Sequence, residues 1–214
     1  MKDKLITELI SALTNIDVWQ PYEFKYFGTS TRCLSFFGDV TRDKTHLFMS
    51  QLMQLAEESR EEPITVFLNT EGGSLTDGLA IYDAITDCPS PVVIVATGIC
   101  ASAGLIILSA GDYRVATKNT TFFYHEPIMQ ENLVNNLSDM NDLQKFYSYC
   151  KERMDTIIKD RSKMKKKKWK DFFEGKTSFY FSAQEALGFN LLDSIKESDK
   201  LDFDIEETKE SSND

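Results

Sequence analysis

Three short stretches of the chain hold residue types suited to acyl chemistry: Ser102, His125 and the pair Gly72-Gly73. Ser102 sits between Ala101 and Ala103 and before Gly104, where an apolar strand pattern gives way to a helical one. A hydroxyl on such a turn has little steric cover and lies beside helix-start amides that stabilise developing negative charge. The run lacks the first glycine of GxSxG, and a serine at a helix start is also a common cap. His125 follows Thr121-Phe122-Phe123-Tyr124 and precedes Glu126-Pro127, which puts its ring at the end of a strand. A neutral imidazole within reach of Ser102 takes the hydroxyl proton and returns it to a leaving amine. Adjacent glycines let another chain segment approach closely and can offer amides to a substrate carbonyl or an oxyanion, although the same pair also makes an ordinary turn. His46, the second of two histidines, lies early in an amphipathic helix and reads as surface or partner contact. No His, Cys or Asp spacing suits a metal, and no glycine run matches a nucleotide loop, so no cofactor is expected in this chain.

The surrounding pattern supplies elements to hold these groups. Strands are expected at 33–38, 64–68, 92–96, 113–116 and 121–124, and helices at 43–60, from Ser74 to the prolines Pro89 and Pro91, and at 103–110. Thr97-Gly98-Ile99-Cys100 reads as a turn. The alternation predicts an α/β layer architecture with helices covering a largely parallel sheet. Residues 3–15 have helical spacing, and 133–160 form a long helical candidate with Leu133, Leu137, Met140, Leu143 and Phe146 in one stripe, extended by Tyr147 and Cys150. Such a helix is long enough to project from the layers toward a partner helix. Next, 161–170 carry seven basic residues in ten positions, read as a solvated surface in preference to a phosphate or acidic-partner contact. Ser182-Ala183-Gln184-Glu185 is a capping box opening a helix that ends near Gly188, and Leu191–Ile195 is a final strand or hairpin candidate.

The 214 residues, 42% of them hydrophobic, are enough for one substantial core. A formal charge of −10 disfavours a general nucleic-acid binder, and about half of that charge, −5, lies in 196–214, which reads as a mobile acidic tail. Cys33, Cys88, Cys100 and Cys150 are too scattered for a disulfide framework and read as reduced thiols. No apolar run is long enough for a membrane span, so a cytoplasmic protein is expected.

Ordered blocks then give a specific resemblance. Phe67-Leu68-Asn69-Thr70-Glu71-Gly72-Gly73-Ser74 with Gly78–Ile85, Gly98-Ile99-Cys100-Ala101-Ser102-Ala103-Gly104, Tyr124-His125-Glu126-Pro127, and Phe181–Ala186 with Gly188–Ile195 resemble the proteolytic subunit of the Clp protease, ClpP, over roughly 25–196. The resemblance implies a ClpP or crotonase-like α/β fold of stacked αβ units with a protruding helical handle at about 133–160, preceded by an N-terminal helix or extension at 1–24 and followed by the acidic tail at 197–214. It implies a self-compartmentalising serine endopeptidase of two heptameric rings, a tetradecamer, fed unfolded protein by a hexameric AAA+ unfoldase that alone uses ATP. Ser102 would be the nucleophile, His125 the general base, Gly73 and Ala103 the oxyanion amides, and Gly72, Gly73 and the backbone after His125 the holders of an extended peptide.

One position departs from that pattern. The family places an Asp four residues before the serine of its late Ser-Ala-x-Glu-Ala block, and here Ser178 stands there, in Lys176-Thr177-Ser178-Phe179-Tyr180-Phe181. A buried carboxylate orients the histidine and stabilises its charged form, so its loss lowers the chemical rate unless something replaces it. Three outcomes are open: Ser178 orients His125 more weakly, Asp171 or Glu174 reaches it, or the chain is a weak or inactive ring subunit in homo-oligomeric or mixed rings. An enoyl-hydratase-like enzyme shares the broad fold but needs an acyl-thioester pocket and no Ser102/His125 pair.

Overall fold

The computed structural model describes residues 32–127, 137–162, 164–173 and 178–196. The expected helix at 3–15, Leu133, Lys163, Glu174, Lys176, Thr177 and the acidic tail from 197 lie outside them.

The β-branched and aromatic runs form β1 (Cys33–Phe37), β2 (Ile64–Thr70), β3 (Val92–Ala101), β4 (Tyr113–Thr117) and β5 (Thr121–His125). Between them lie α1 (Arg42–Glu58), α2 (Leu75–Thr86) and α3 (Ala103–Ala110), followed by α4 (Leu137–Ser162), α5 (Lys166–Phe172), β6 (Ser178–Ser182), α6 (Ala183–Gly188) and β7 (Ser194–Lys196). Strands β1, β2, β3, β4 and β7 lie side by side in that order, all parallel. β5 joins the far end of β3 in parallel, and β6 pairs antiparallel with β5. The architecture is thus α/β with a largely parallel sheet, as the alternation predicts.

Central strands covered on both faces need near-continuous apolar runs. Ile64, Val66, Leu68, Val92, Ile94 and Ala96 are accordingly buried, and every residue of α3 is buried against them. Ser74 caps α2 by accepting from the Asp77 amide, and Ser182 and Glu185 form the expected reciprocal capping box at α6. All four cysteines are free thiols.

Three local expectations are corrected. The proposed turn at Thr97–Cys100 is part of β3, because the chain bulges there and resumes pairing with a new neighbour. The Leu191–Ile195 candidate shrinks to a strand at Ser194–Lys196, since Leu191 and Leu192 are buried in the core instead. The lysine-rich stretch is not wholly solvated: Trp169 is buried and stacks on Phe173 with ring centres 4.4 Å apart, while Lys165, Lys166, Lys167 and Lys170 are exposed.

The long helix α4 has two kinds of surroundings. Cys150, Met154, Ile158 and Ser162, at successive turns, are buried, whereas Met140, Phe146 and Tyr149 are exposed. Its end is fastened by an ionic knot. Asp193 takes two side-chain bonds of 2.9 Å from the buried Arg114 guanidinium and one of 2.8 Å from the Arg114 amide. Arg114 also donates to the Arg161 carbonyl, and Arg161 donates to that of Gly111. Partial burial pushes the Asp193 carboxyl up, but the hydrogen bonds and charge of Arg114, with Arg161 behind them, outweigh it and hold the group below its ordinary value. A carboxyl depressed by folding stabilises fully above its unfolded value of about 3.9, and that contribution is lost as pH falls through the lower folded value. Asp193→Asn is therefore expected to cost about 3 kcal/mol at neutral pH by stranding Arg114. In paired thermal melts, its deficit against the parent chain shrinks below about pH 4.

Candidate active site

Ser102 owes its position to the bulge in β3. Leu68 faces Ala96, but two residues further along β2 Thr70 faces Cys100, four residues further along β3. Gly98 takes φ 60° at this point, and the Asn69 carboxamide oxygen accepts from the Ile99 amide at 3.1 Å. Before the bulge β3 pairs with β4, and after it with β5. A bulge of this kind re-aims a strand end. The redirected end reaches Ser102, whose amide donates to the Phe123 carbonyl of β5 at 2.9 Å.

Ser102 has φ 52° and ψ −120°, a conformation rarely taken by a residue with a side chain. It stands at the start of α3, yet its hydroxyl makes no capping bond. The capping alternative therefore does not account for the serine. The first amides of α3, Ala103 among them, have no partner within the helix.

The glycines pack against this turn. Gly72 has φ 100°, and a Cβ there would lie 2.6 Å from Ser102 Cβ, 2.9 Å from the Ala101 carbonyl oxygen and 3.1 Å from the Ala103 nitrogen. Its amide donates to the buried Thr70 hydroxyl. Gly73 bridges to Val40: the Val40 amide donates to the Gly72 carbonyl and the Ser74 amide to the Val40 carbonyl. In a parallel bridge of that pattern, Gly73's own N–H and C=O point to the opposite edge. That edge borders a cleft of about 550 Å³.

His125 closes β5. Its ring lies tilted against Phe123 with centres 5.2 Å apart, and Phe123 stacks on Tyr180 of β6 at 4.1 Å. His125 Nδ1 lies 2.6 Å from the Glu126 carbonyl oxygen. A carbonyl only accepts, so this bond requires the proton on Nδ1 and leaves Nε2 of the neutral ring as an acceptor. Ser178 faces His125 directly in the β5–β6 ladder, on the same side of the sheet. The ring's hydrogen bond nevertheless goes to Glu126 and not to Ser178. The side chain of Asp171 and the whole of Glu174 lie outside the described residues.

Ser102, His125 and Gly73 line the same cleft, with Glu71, Thr76 and Pro127. Phe146 and Tyr147 of α4 form a further wall. Ala103 and Gly72 lie behind Ser102, and Ser178 stands across from His125. Among the described residues no hydrogen bond joins Ser102 to His125; in resting sites such bonds are often long and tighten only with substrate. The chemistry available is a hydroxyl free of the helix cap, an imidazole nitrogen able to take a proton, and the Gly73 amide on the cleft edge. His46 is exposed on α1, away from this group. Sequence reading missed the Glu126 carbonyl, because a main-chain acceptor leaves no signature in residue type. The aromatic run Phe179-Tyr180-Phe181 carries a strand signal, but the register that sets Ser178 opposite His125 comes only from the β5–β6 pairing.

The chain is similar to known proteins over most of its length. A family model described as Clp protease matches residues 25–199. The chain is 30% identical over 165 residues to the ATP-dependent Clp protease proteolytic subunit 1 of Prochlorococcus marinus subsp. pastoris, covering 75% of this chain and 81% of that relative. It is also 30% identical over 163 residues to the protein of the same name from Leifsonia xyli subsp. xyli, with the same two coverages. Among solved structures, a ClpP1 point mutant from Listeria monocytogenes superposes with a TM-score of 0.69 at 25% identity, covering 78% of this chain and 92% of that one.

Proposed function

The chain belongs to the Clp protease family, and on that premise we propose that it is a serine endopeptidase subunit of a self-compartmentalising protease. It cleaves peptide bonds of unfolded proteins delivered by an ATP-dependent AAA+ unfoldase, in the cytoplasm, within rings paired through α4. Among the described residues, no helix is long and apolar enough to cross a membrane.

In this reading Ser102 Oγ attacks the scissile carbonyl while His125 Nε2 takes its proton. The amides of Gly73 and Ala103 stabilise the oxyanion, and His125 returns the proton to the leaving amine. Gly73 holds an extended peptide through its main chain; Gly72, expected to share that task, has its N–H bonded to Thr70 and its C=O to Val40, and serves by letting the loop pack against the Ser102 turn. The Glu126 carbonyl does part of the orienting work of a triad acid by holding the Nδ1–H tautomer. Being neutral, it stabilises the imidazolium less than a carboxylate does. Ser178 remains the residue in the third slot.

The observation that carries the reading is Ser102 held at positive φ, with its hydroxyl off the helix cap, in the cleft that His125 lines. Its test is labelling of the assembled oligomer by an organofluorophosphonate. One adduct per reactive subunit is expected on Ser102, with none in Ser102→Ala, whose peptide hydrolysis drops by about a thousandfold or more.

A second reading, a catalytically weak or inactive ring subunit, is favoured by one fact: among the described residues no carboxylate bonds His125. Assembled rings that give no Ser102 adduct would establish it over the first.

A further inference from the structure

Both chain neighbours of His125 are tied to one turn of α4. Tyr124 points to the opposite side of β5 from His125 and is fully buried. Its hydroxyl donates to one oxygen of Asp155 at 2.5 Å. Burial, the Asp155 bond and the charges of Asp155 and Glu126 push the phenol's pKa up, which keeps it a donor. The other Asp155 oxygen accepts from Lys151 at 2.5 Å, one helical turn earlier. Lys151 also lies 3.7 Å from the carboxylate of Glu126. The ammonium thus stands between two carboxylates, one on the helix and one on the residue whose carbonyl holds His125 Nδ1.

We propose that Lys151 and Asp155 form a positioning pair for the base: they anchor the chain on either side of His125 so that the Glu126 carbonyl meets Nδ1. This rests on the reading of His125 as the general base. Remove the lysine, and the Glu126 and Asp155 carboxylates repel each other across the gap it fills. Glu126 is then pushed outward and its carbonyl leaves Nδ1. The ring loses its fixed tautomer while Ser102, Gly73 and the cleft walls stay in place, so the damage falls on the chemical step and not on substrate binding.

The test uses assembled full-length protein carrying Lys151→Met, Lys151→Arg, Glu126→Gln, and Lys151→Met with Glu126→Gln. Lys151→Met is expected to lower kcat for a fluorogenic peptide about tenfold or more, with KM within about twofold, since misplacing a reacting group costs rate. The Arg variant restores most of the loss. In the Glu126→Gln background the same Lys151→Met change costs markedly less, because the repulsion it exposes is gone. Imidazole 15N shifts of the chain's two histidines supply a readout independent of turnover. One ring is expected in the Nδ1–H form in the parent and in a tautomer mixture in Lys151→Met. Unchanged kcat and unchanged shifts in Lys151→Met overturn the proposal, as does an equal loss in both backgrounds. A parent protein that labels at Ser102 while the Lys151 variants match it keeps the peptidase reading and removes this one. A parent that never labels, but whose tautomer depends on Lys151, removes the peptidase reading and keeps the positioning pair.

Discussion

A His125→Ala chain is expected to assemble normally and to acylate Ser102 about a thousandfold more slowly than the parent. A serine hydroxyl is a poor nucleophile at neutral pH, and among the described residues His125 is the one imidazole lining the cleft with Ser102, whose hydroxyl makes no capping bond at the helix start. The assignment of the base therefore rests on one imidazole, whose Nε2 is the acceptor because Nδ1 is bonded to a carbonyl. Stability should change little, since the ring sits at a strand end and its aromatic contact is with Phe123. Mass spectrometry of adduct formation over time measures the rate, and gel filtration checks assembly. A loss under about tenfold in intact rings would falsify the role given to His125.

The second large effect comes from a residue with no chemistry of its own. Gly72→Ala is expected to abolish most activity, by about a hundredfold or more, and to lower stability by about 2–3 kcal/mol. At φ 100° a side chain is strained in any surroundings, and the new Cβ would meet Ser102 Cβ at 2.6 Å and the Ala101 carbonyl at 2.9 Å. These atoms belong to the backbone or sit directly on it, so none can swing aside. Relief requires moving the turn that carries the nucleophile. Gly188→Ala is the matched control, because its added Cβ meets nothing within 4 Å. Thermal melts and peptide hydrolysis on both variants separate the two cases. Equal behaviour would mean that the cleft tolerates a side chain at Gly72.

Much of the fold was legible in the residues themselves. The short, β-branched apolar run Val92–Ala96, bounded by Pro91 and Gly98, reads as a strand buried on both faces, and the helical stripes between such runs read as its cover. The chemical residues stood out because Ser102 falls at a strand-to-helix switch and His125 at a strand end. Harder to read was anything decided by a distant partner. Gly98 signals a break, but whether a break is a turn or a bulge depends on which strand takes over the pairing, and that strand lies beyond α3 and β4. Trp169 amid lysines looks exposed until Phe173 stacks on it. Residue type points to the side chains of Ser178, Asp171 or Glu174 as the partner of His125, while the atom bonded to its ring is a main-chain oxygen of the next residue. In fold the chain resembles the Clp protease proteolytic subunit.

The divided surroundings of α4 have a thermodynamic consequence. Its last turns draw their stability from the chain's own core through Cys150, Met154 and Ile158, whereas its earlier turns expose Met140, Phe146 and Tyr149. A short stretch of helix without tertiary packing is marginal in water. In the proposed rings a second subunit covers that exposed stripe and adds to its stability by mass action, so the local free energy of the segment would vary with subunit concentration. Phe146 and Tyr147, which wall the cleft, belong to this concentration-dependent part. In the proposed assembly, the firmness of the cleft would then be set by dilution as much as by sequence.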